Sequence, residues 1–268
     1  MNHLLDLLIH SLQQSLLLLP MVLGIYFSYG CAKLTDLTIE GSFVLGACVY
    51  AISLTLTGNS FLSFMIGSFA GSFSGIISGI IQRKNRMNSL MAGIITLFIL
   101  QSMNIMVLGR PNINLLSYHH TFSTLFDLLG LSLILCVAFM MINRSIIGLK
   151  FKALGSNPKL FNELFSLDYY KIFVLSLSNI CAAMSGVLTA SVNGYTDIYM
   201  GQGIAIIGMG TFILGRTLFP HPLSGILGLM IYFSMMHILL SLGVDTLVMK
   251  LLIGMFLAII LGGRRVSY

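Results

Sequence analysis

The chain has 268 residues, is 57% hydrophobic and only 8% charged, and has a mean hydropathy of +0.97. A soluble globule ordinarily carries about 25% charged residues, so these proportions exclude a cytosolic enzyme, a nucleic-acid-binding module and a disordered chain. The excess of 14 Lys and Arg over 8 Asp and Glu sits in short gaps between apolar runs, the pattern of a chain whose main solvent is lipid.

The apolar runs are continuous, not alternating, so they read as membrane-spanning helices and not as barrel strands. At about 20 residues per crossing, eight to ten spans use up the chain as a single transmembrane unit, 1–268. The predicted spans are 10–32, 42–57, 61–82, 89–108, 123–142, 169–192, 203–218, 223–241 and 246–262. Residues 1–32 carry no Lys or Arg in their opening stretch and are interrupted by Asp6, Gln13 and Gln14, so they read as a retained first helix and not as a cleaved leader. The second and seventh spans are short, about 16 residues or roughly 24 Å against a core of roughly 30 Å. Short, glycine-interrupted helices often line a cavity.

Between the first two spans lies Thr35-Asp36-Leu37-Thr38-Ile39-Glu40-Gly41-Ser42. Ionisable groups at membrane depth are costly and usually face a cavity or a partner. The segment therefore reads either as a broken helix, with Gly41 as the break and Asp36, Thr38 and Glu40 on a solute path, or as an interfacial loop with polar helix caps. In the third span Gly67, Gly71, Gly75 and Gly79 recur every four residues, a ridge without side chains along which helices approach closely in lipid. In the fourth, Gln101 and Asn104 are three apart and share a face, suited to solute contact or interhelical hydrogen bonding.

The connection 144–171 contains Gly155-Ser156-Asn157-Pro158-Lys159-Leu160-Phe161-Asn162-Glu163-Leu164-Phe165. Asn157 suits an N-cap and Pro158 the first helical position, and Leu160, Phe161, Leu164 and Phe165 form an apolar stripe. Such a helix lies on headgroups or fills a groove on another protein. Beyond the sixth span, Tyr195-Thr196-Asp197-Ile198-Tyr199-Met200-Gly201-Gln202-Gly203 reads as a glycine-rich turn facing a pathway or a docked partner, or as an ordinary capped turn.

Orientation follows from the cations. Eleven of the 14 (Arg83, Lys84, Arg86, Arg144, Lys150, Lys152, Lys159, Lys171, Arg216, Arg264 and Arg265) alternate onto one side. That side is cytoplasmic by the positive-inside rule, which places the C-terminus in the cytoplasm and the N-terminus outside. The four cysteines, Cys31, Cys48, Cys136 and Cys181, lie in or beside apolar runs without CxxC spacing and read as small apolar residues. No phosphate loop, HExxH or GxSxG motif occurs in the chain, so no catalytic or metal site is expected, and any ATP-driven step would need another chain.

Taken together, these segments resemble the permease subunits of ABC importers, in the superfamily of branched-chain amino acid and ribose permeases, nearest a subgroup described as uncharacterised or tryptophan/tyrosine-type. Asp36-Leu37-Thr38-Ile39-Glu40-Gly41-Ser42-Phe43 with Leu45-Gly46-Ala47 is similar to a DLTVEGSFPLGA stretch, with Val44 in place of Pro. Gly109-Arg110-Pro111-Asn112-Ile113 resembles a family loop, and Ala153-Leu154-Gly155-Ser156-Asn157-Pro158 resembles an RAxGxNP coupling motif in which Lys152 stands for Arg. Met200-Gly201-Gln202-Gly203 with Gly208 and Gly215-Arg216 resembles a later block.

The resemblance implies an all-α, polytopic fold of the type II importer kind in a bacterial cytoplasmic membrane. It implies a homodimer with a second permease copy, two cytoplasmic ABC ATPases that carry ATP and Mg, and an extracytoplasmic solute-binding protein. Helix 158–165 would be the coupling helix, with Gly155, Asn157 and Pro158 shaping it. Leu160, Phe161 and Leu164 would fill the ATPase groove and Glu163 would pair with a basic residue there. Asp197, Gly201 and Gly203 would form an outer gate or docking surface. The expected solute is an amino acid, with an aromatic one favoured. The competing expectation is an ion- or proton-coupled carrier that works alone through Asp36, Glu40 and His237.

Overall fold

The computed structural model describes residues 2–83, 87–118, 122, 124–245, 248 and 254–255. Ten α-helices and one two-stranded ribbon account for them: α1 (Asn2–Ile25), α2 (Thr38–Thr57), α3 (Ser60–Ile81), α4 (Ser89–Leu108), β1 (Asn112–Asn114), α5 (Leu125–Arg144), α6 (Ile146–Ser156), α7 (Pro158–Leu164), α8 (Leu167–Asn193), β2 (Tyr195–Asp197), α9 (Ile204–Leu218) and α10 (Ser224–Ser241). Seven helices are long and apolar enough to cross a membrane, and the 15-residue α9 is apolar but short. The fold is all-α and polytopic. The predicted span 246–262 falls almost wholly outside the described residues.

Helix ends follow local chemistry. Asn59 caps α3 by accepting the Leu62 N–H at 3.1 Å. Thr124 and Asp127 form a reciprocal capping box on α5, which satisfies two otherwise orphaned donors. Gly58, Gly109 and Gly194 end α2, α4 and α8 with positive φ, the conformation a glycine adopts without strain. Pro20 lies inside α1. The Met21 N–H beside it donates to Ser185 Oγ of α8 at 2.9 Å, so the perturbed turn is tied to its neighbour. α1 ends in a π-helical turn, Tyr26–Cys31.

The long helix α8 is the central post, packed on α3, α2 and α1, with α9 and α10 closing against α1. Glycines allow these contacts. All four ridge glycines of α3 have neighbours within van der Waals distance. A Cβ at Gly71 would lie 2.1 Å from the Asn179 carbonyl oxygen, one at Gly75 2.4 Å from Ser176 Cα, and one at Gly79 2.6 Å from Ile172; at Gly67 it would meet Val187 of α8 and the Gly46 carbonyl of α2. The ridge is therefore used inside this chain, backbone against backbone with α8.

Two expectations change here. Gly41 does not break a helix: α2 starts at Thr38 and runs through it for 20 residues, or roughly 30 Å, so the second span is full length. The break lies earlier, at 32–37, where Lys33 takes φ 57°. Gly41 instead admits α4, because Leu100 lies 2.7 Å from where its Cβ would be.

Segments 32–37, 82–83, 87–88, α6–α7 and 219–223 gather at one end of the bundle. A Cβ at Gly155 would sit 1.9 Å from the Cys31 carbonyl oxygen. Thr35 meets Ser89 at 3.1 Å, Arg83 meets Asp168 at 3.8 Å, and a Cβ on Gly30 would lie 3.5 Å from the Arg216 guanidinium. The described segments that carry Arg83, Lys152 and Arg216 thus share one end. The β1–β2 ribbon, in register Asn112↔Asp197 and Asn114↔Tyr195, and the His10–His237 contact at 6.2 Å lie away from it.

Candidate functional site: a cavity between two helices and a descending turn

A cavity of about 210 Å³ opens between the start of α2, the middle of α4 and the turn 198–202. Three segments distant in sequence supply its walls: Glu40, Gly41 and Val44; Leu97, Gln101, Asn104 and Ile105; and Ile198, Tyr199, Gly201 and Gln202. Positions 97, 101, 104 and 105 fall on one face of α4 by helical geometry. Asp197 anchors the turn by accepting the Tyr199 N–H on Oδ1 at 2.7 Å, and β1 holds Asp197 in register. Gly201 lets the turn descend onto α2, since a Cβ there would meet Val44 Cγ2 at 2.6 Å and the Glu40 carbonyl oxygen at 2.7 Å. Gly203 then opens α9 in the left-handed region, φ 79°.

The N-cap residue of α9 contributes no capping side chain. The carboxyl group of Glu40, on α2, lies beside the backbone N–H groups of Gly203 and Ala205 at this end of α9. A carboxylate at a helix N-terminus meets both orphan N–H groups and the positive end of the helix dipole. Glu40 thereby places a carboxyl group between the start of α2 and the first turn of α9 at the cavity wall.

Asn104 is 2% exposed. Its Nδ2 donates to the Gly41 carbonyl at 3.2 Å, which pins α4 to α2. Because a carbonyl only accepts, the amide nitrogen must face Gly41, and Oδ1 is left without a partner. Gln101, one turn away, is exposed at the cavity mouth.

Asp36 and Thr38 sit elsewhere. Asp36 is 1% exposed. It accepts the Thr38 N–H at 2.9 Å, the Thr38 hydroxyl and the Asn179 Nδ2 at 2.7 Å. Burial pushes this carboxyl up, and the donors from Thr38 and Asn179 pull it back. Asn179 Oδ1 in turn meets the hydroxyls of Thr38 and Ser42, and Ser42 meets Ser74. Asp36 and Thr38 are thus part of a polar knot joining α2, α3 and α8, away from the cavity lining. His237 stacks near His10 at the other end of the bundle, so Asp36, Glu40 and His237 have separate partners and form no continuous relay.

The segment 157–165 is built as a cap and a clamp. Asn157 Oδ1 accepts the Leu160 N–H at 3.2 Å, and Pro158 opens α7. Leu160 and Leu164 are 53% and 69% exposed, and Glu163 is exposed beside them. Phe161 departs from its expected place in a partner's groove. It is 3% exposed, 5.3 Å from the rings of both Phe165 and Tyr170, and so anchors α7 to its own chain. Lys150 reinforces the clamp, with Nζ 2.8 Å from Tyr170 Oη and 4.6 Å from the Phe165 ring centroid.

Asn179 and Tyr199 are the important residues the sequence reading passed over. The one signal for Asn179 was an amide inside the apolar run 169–192. Tyr199 stood in a segment already singled out. Among the described residues, no cluster of three or more His, Cys, Asp or Glu suited to a metal occurs.

The family model for the branched-chain amino acid transport system permease component matches residues 7–261. A protein of Rickettsia prowazekii (strain Madrid E) described as uncharacterised is 36% identical, covering 95% of this chain and 96% of its own length. A tyrosine transport system permease protein of Clostridioides difficile (strain R20291) is 29% identical, over 91% of this chain and 87% of that one. No solved structure matches.

Proposed function

We propose that this chain, which belongs to the family of permease components of branched-chain amino acid transport systems, is the membrane-spanning subunit of an ATP-driven amino acid importer. Two copies form the pathway, separate ABC ATPases supply the drive from the cytoplasmic face, and a solute-binding protein delivers solute on the opposite face. The cation-rich end of the bundle, with α6 and α7, is the cytoplasmic one. An aromatic amino acid is the favoured solute, in line with the tyrosine transport relative.

One observation carries this reading. The exposed face of α7, Leu160 and Leu164, lies on the same short segment whose Gly155 touches the Cys31 carbonyl. Cys31 leads within nine residues to Glu40, at the cavity. A push on α7 from an ATPase therefore has a continuous packed route to the start of α2 and, through Glu40, to the start of α9. Moving these two elements together opens the cavity to one side or the other, and the ATPase cycle sets which state is favoured.

Proteoliposomes containing the permease with its ATPase test the proposal. Solute uptake should require ATP and be lost when Leu160 and Leu164 are both changed to Asp. Uptake by the permease alone, without any ATPase, overturns it.

A further inference from the structure

We propose that Asn104 Oδ1 and the Glu40 carboxylate form the recognition site for the ammonium group of the solute; this rests on the transport reading above and deepens it. Asn104 lines the cavity and is 2% exposed, and its Oδ1 has no hydrogen-bond partner. Leaving a buried polar atom unmet is costly, and its orientation is dictated, because the Asn104 nitrogen is committed to Gly41. The missing partner must be a donor.

Glu40 adds the charge. Its carboxyl group lies beside the first turn of α9, lines the cavity and has about four lone-pair sites, so it has acceptor capacity for a donor in that space. Among the described residues lining the cavity there is no Lys, Arg or His. A carboxylate therefore finds no counter-ion here, whereas a protonated amine finds one carboxylate and one amide oxygen. Val44, Leu97, Ile105 and Ile198 also line the space and suit an apolar body, with Gln101, Tyr199 and Gln202 beside them. At about 210 Å³ the space is below the 300–1,000 Å³ of drug-sized pockets, and it fits a small amine and excludes a peptide.

The test is calorimetric titration of the purified permease in lipid nanodiscs with three probes: tyramine, 4-ethylphenol, which lacks the amine, and 3-(4-hydroxyphenyl)propanoate, which carries a carboxylate instead. Tyramine should bind, 4-ethylphenol should bind at least about tenfold more weakly, since a hydrogen bond to a charged group is worth about that factor or more, and the propanoate should not bind. Asn104→Leu and Glu40→Gln should each weaken tyramine by about tenfold and 4-ethylphenol by clearly less. The wild-type series stands even where a variant fails to fold. Equal binding of tyramine and 4-ethylphenol, or tighter binding of the propanoate, or no binding of tyramine to folded protein, overturns the site. ATP-driven uptake with equal tyramine and 4-ethylphenol binding removes the site and leaves the importer reading. The expected binding pattern in a complete transporter that takes up nothing with ATP supports the site and removes the importer reading.

Discussion

Asn179 Nδ2 donates to Asp36 Oδ2 at 2.7 Å although 143 residues separate the two in the chain. The same nitrogen also donates to the Leu175 carbonyl at 2.8 Å, so both of its hydrogens are used. Asn179 is 0% exposed and Asp36 1%, and the bond joins the central post α8 to the entry of α2.

Removing that donor should be among the most damaging single changes in the chain. Asn179→Leu leaves Asp36 with Thr38 alone, and breaking a buried charged pair or its equivalent costs about 3–5 kcal/mol. Asp36→Asn keeps an oxygen for the Thr38 N–H and should cost less. Thermal unfolding of the purified protein checks this: the expected order of midpoints is wild type, then Asp36→Asn, then Asn179→Leu. Equal midpoints for all three would show that the bond contributes nothing.

The two faces of α7 should separate cleanly. Leu160→Asp with Leu164→Asp changes exposed positions, so unfolding should shift little while ATPase association and coupled uptake fall. Phe161→Ala removes a buried ring, at about 3–5 kcal/mol for a packed Phe, and should release α7 from its clamp. Limited proteolysis near Ser156–Ser166 reads this directly, with faster cleavage expected only for Phe161→Ala.

Gly71→Val should push α3 off α8. A Cβ there would already lie 2.1 Å from the Asn179 carbonyl oxygen, and overpacking of a tight contact costs about 1–3 kcal/mol or more. Gly130→Val on α5, where nothing lies within 4 Å, is the control. A lower yield and melting temperature are expected for the first and near-native values for the second.

Glu40→Ala should loosen the first turn of α9 without unfolding the bundle, because the carboxyl it removes lies beside the backbone of a helix end. Hydrogen exchange of the amides at Gly203 and Ala205 should accelerate. Exchange at Phe212, deeper in α9, should stay unchanged.

Much of this architecture was readable from apolar run length. Residues 89–108 were delimited as observed, and 61–82, 203–218 and 223–241 to within a residue, because lipid requires long uninterrupted helices. Asn157-Pro158 marked the start of α7 because capping is a local event. Gly41 misled, since a glycine inside an apolar helix has two uses, breaking it or admitting a neighbour, and the neighbour Leu100 is 59 positions away. Phe161 misled for a related reason: in a seven-residue helix a stripe at 160, 161, 164 and 165 does not say which half faces home. The cavity itself was legible only in pieces. Glu40, Gln101, Asn104 and Gly201 were each singled out, but no periodicity brings α2, α4 and the turn after β2 together. That needs the ribbon between Asn112–Asn114 and Tyr195–Asp197, two three-residue strands too short to leave a pattern.

The π-helical turn at Tyr26–Cys31 acts as a phase adjuster for everything downstream. Deleting one residue within 26–31 would let the segment relax to ordinary α geometry and rotate the following residues by about 100° around the helix axis. Asp36 would then point away from α8, and the Cys31 carbonyl would no longer meet Gly155. The extra residue in that wide turn sets the angular registry between the α6–α7 segment and the cavity, so insertions and deletions there should be far less tolerated than substitutions.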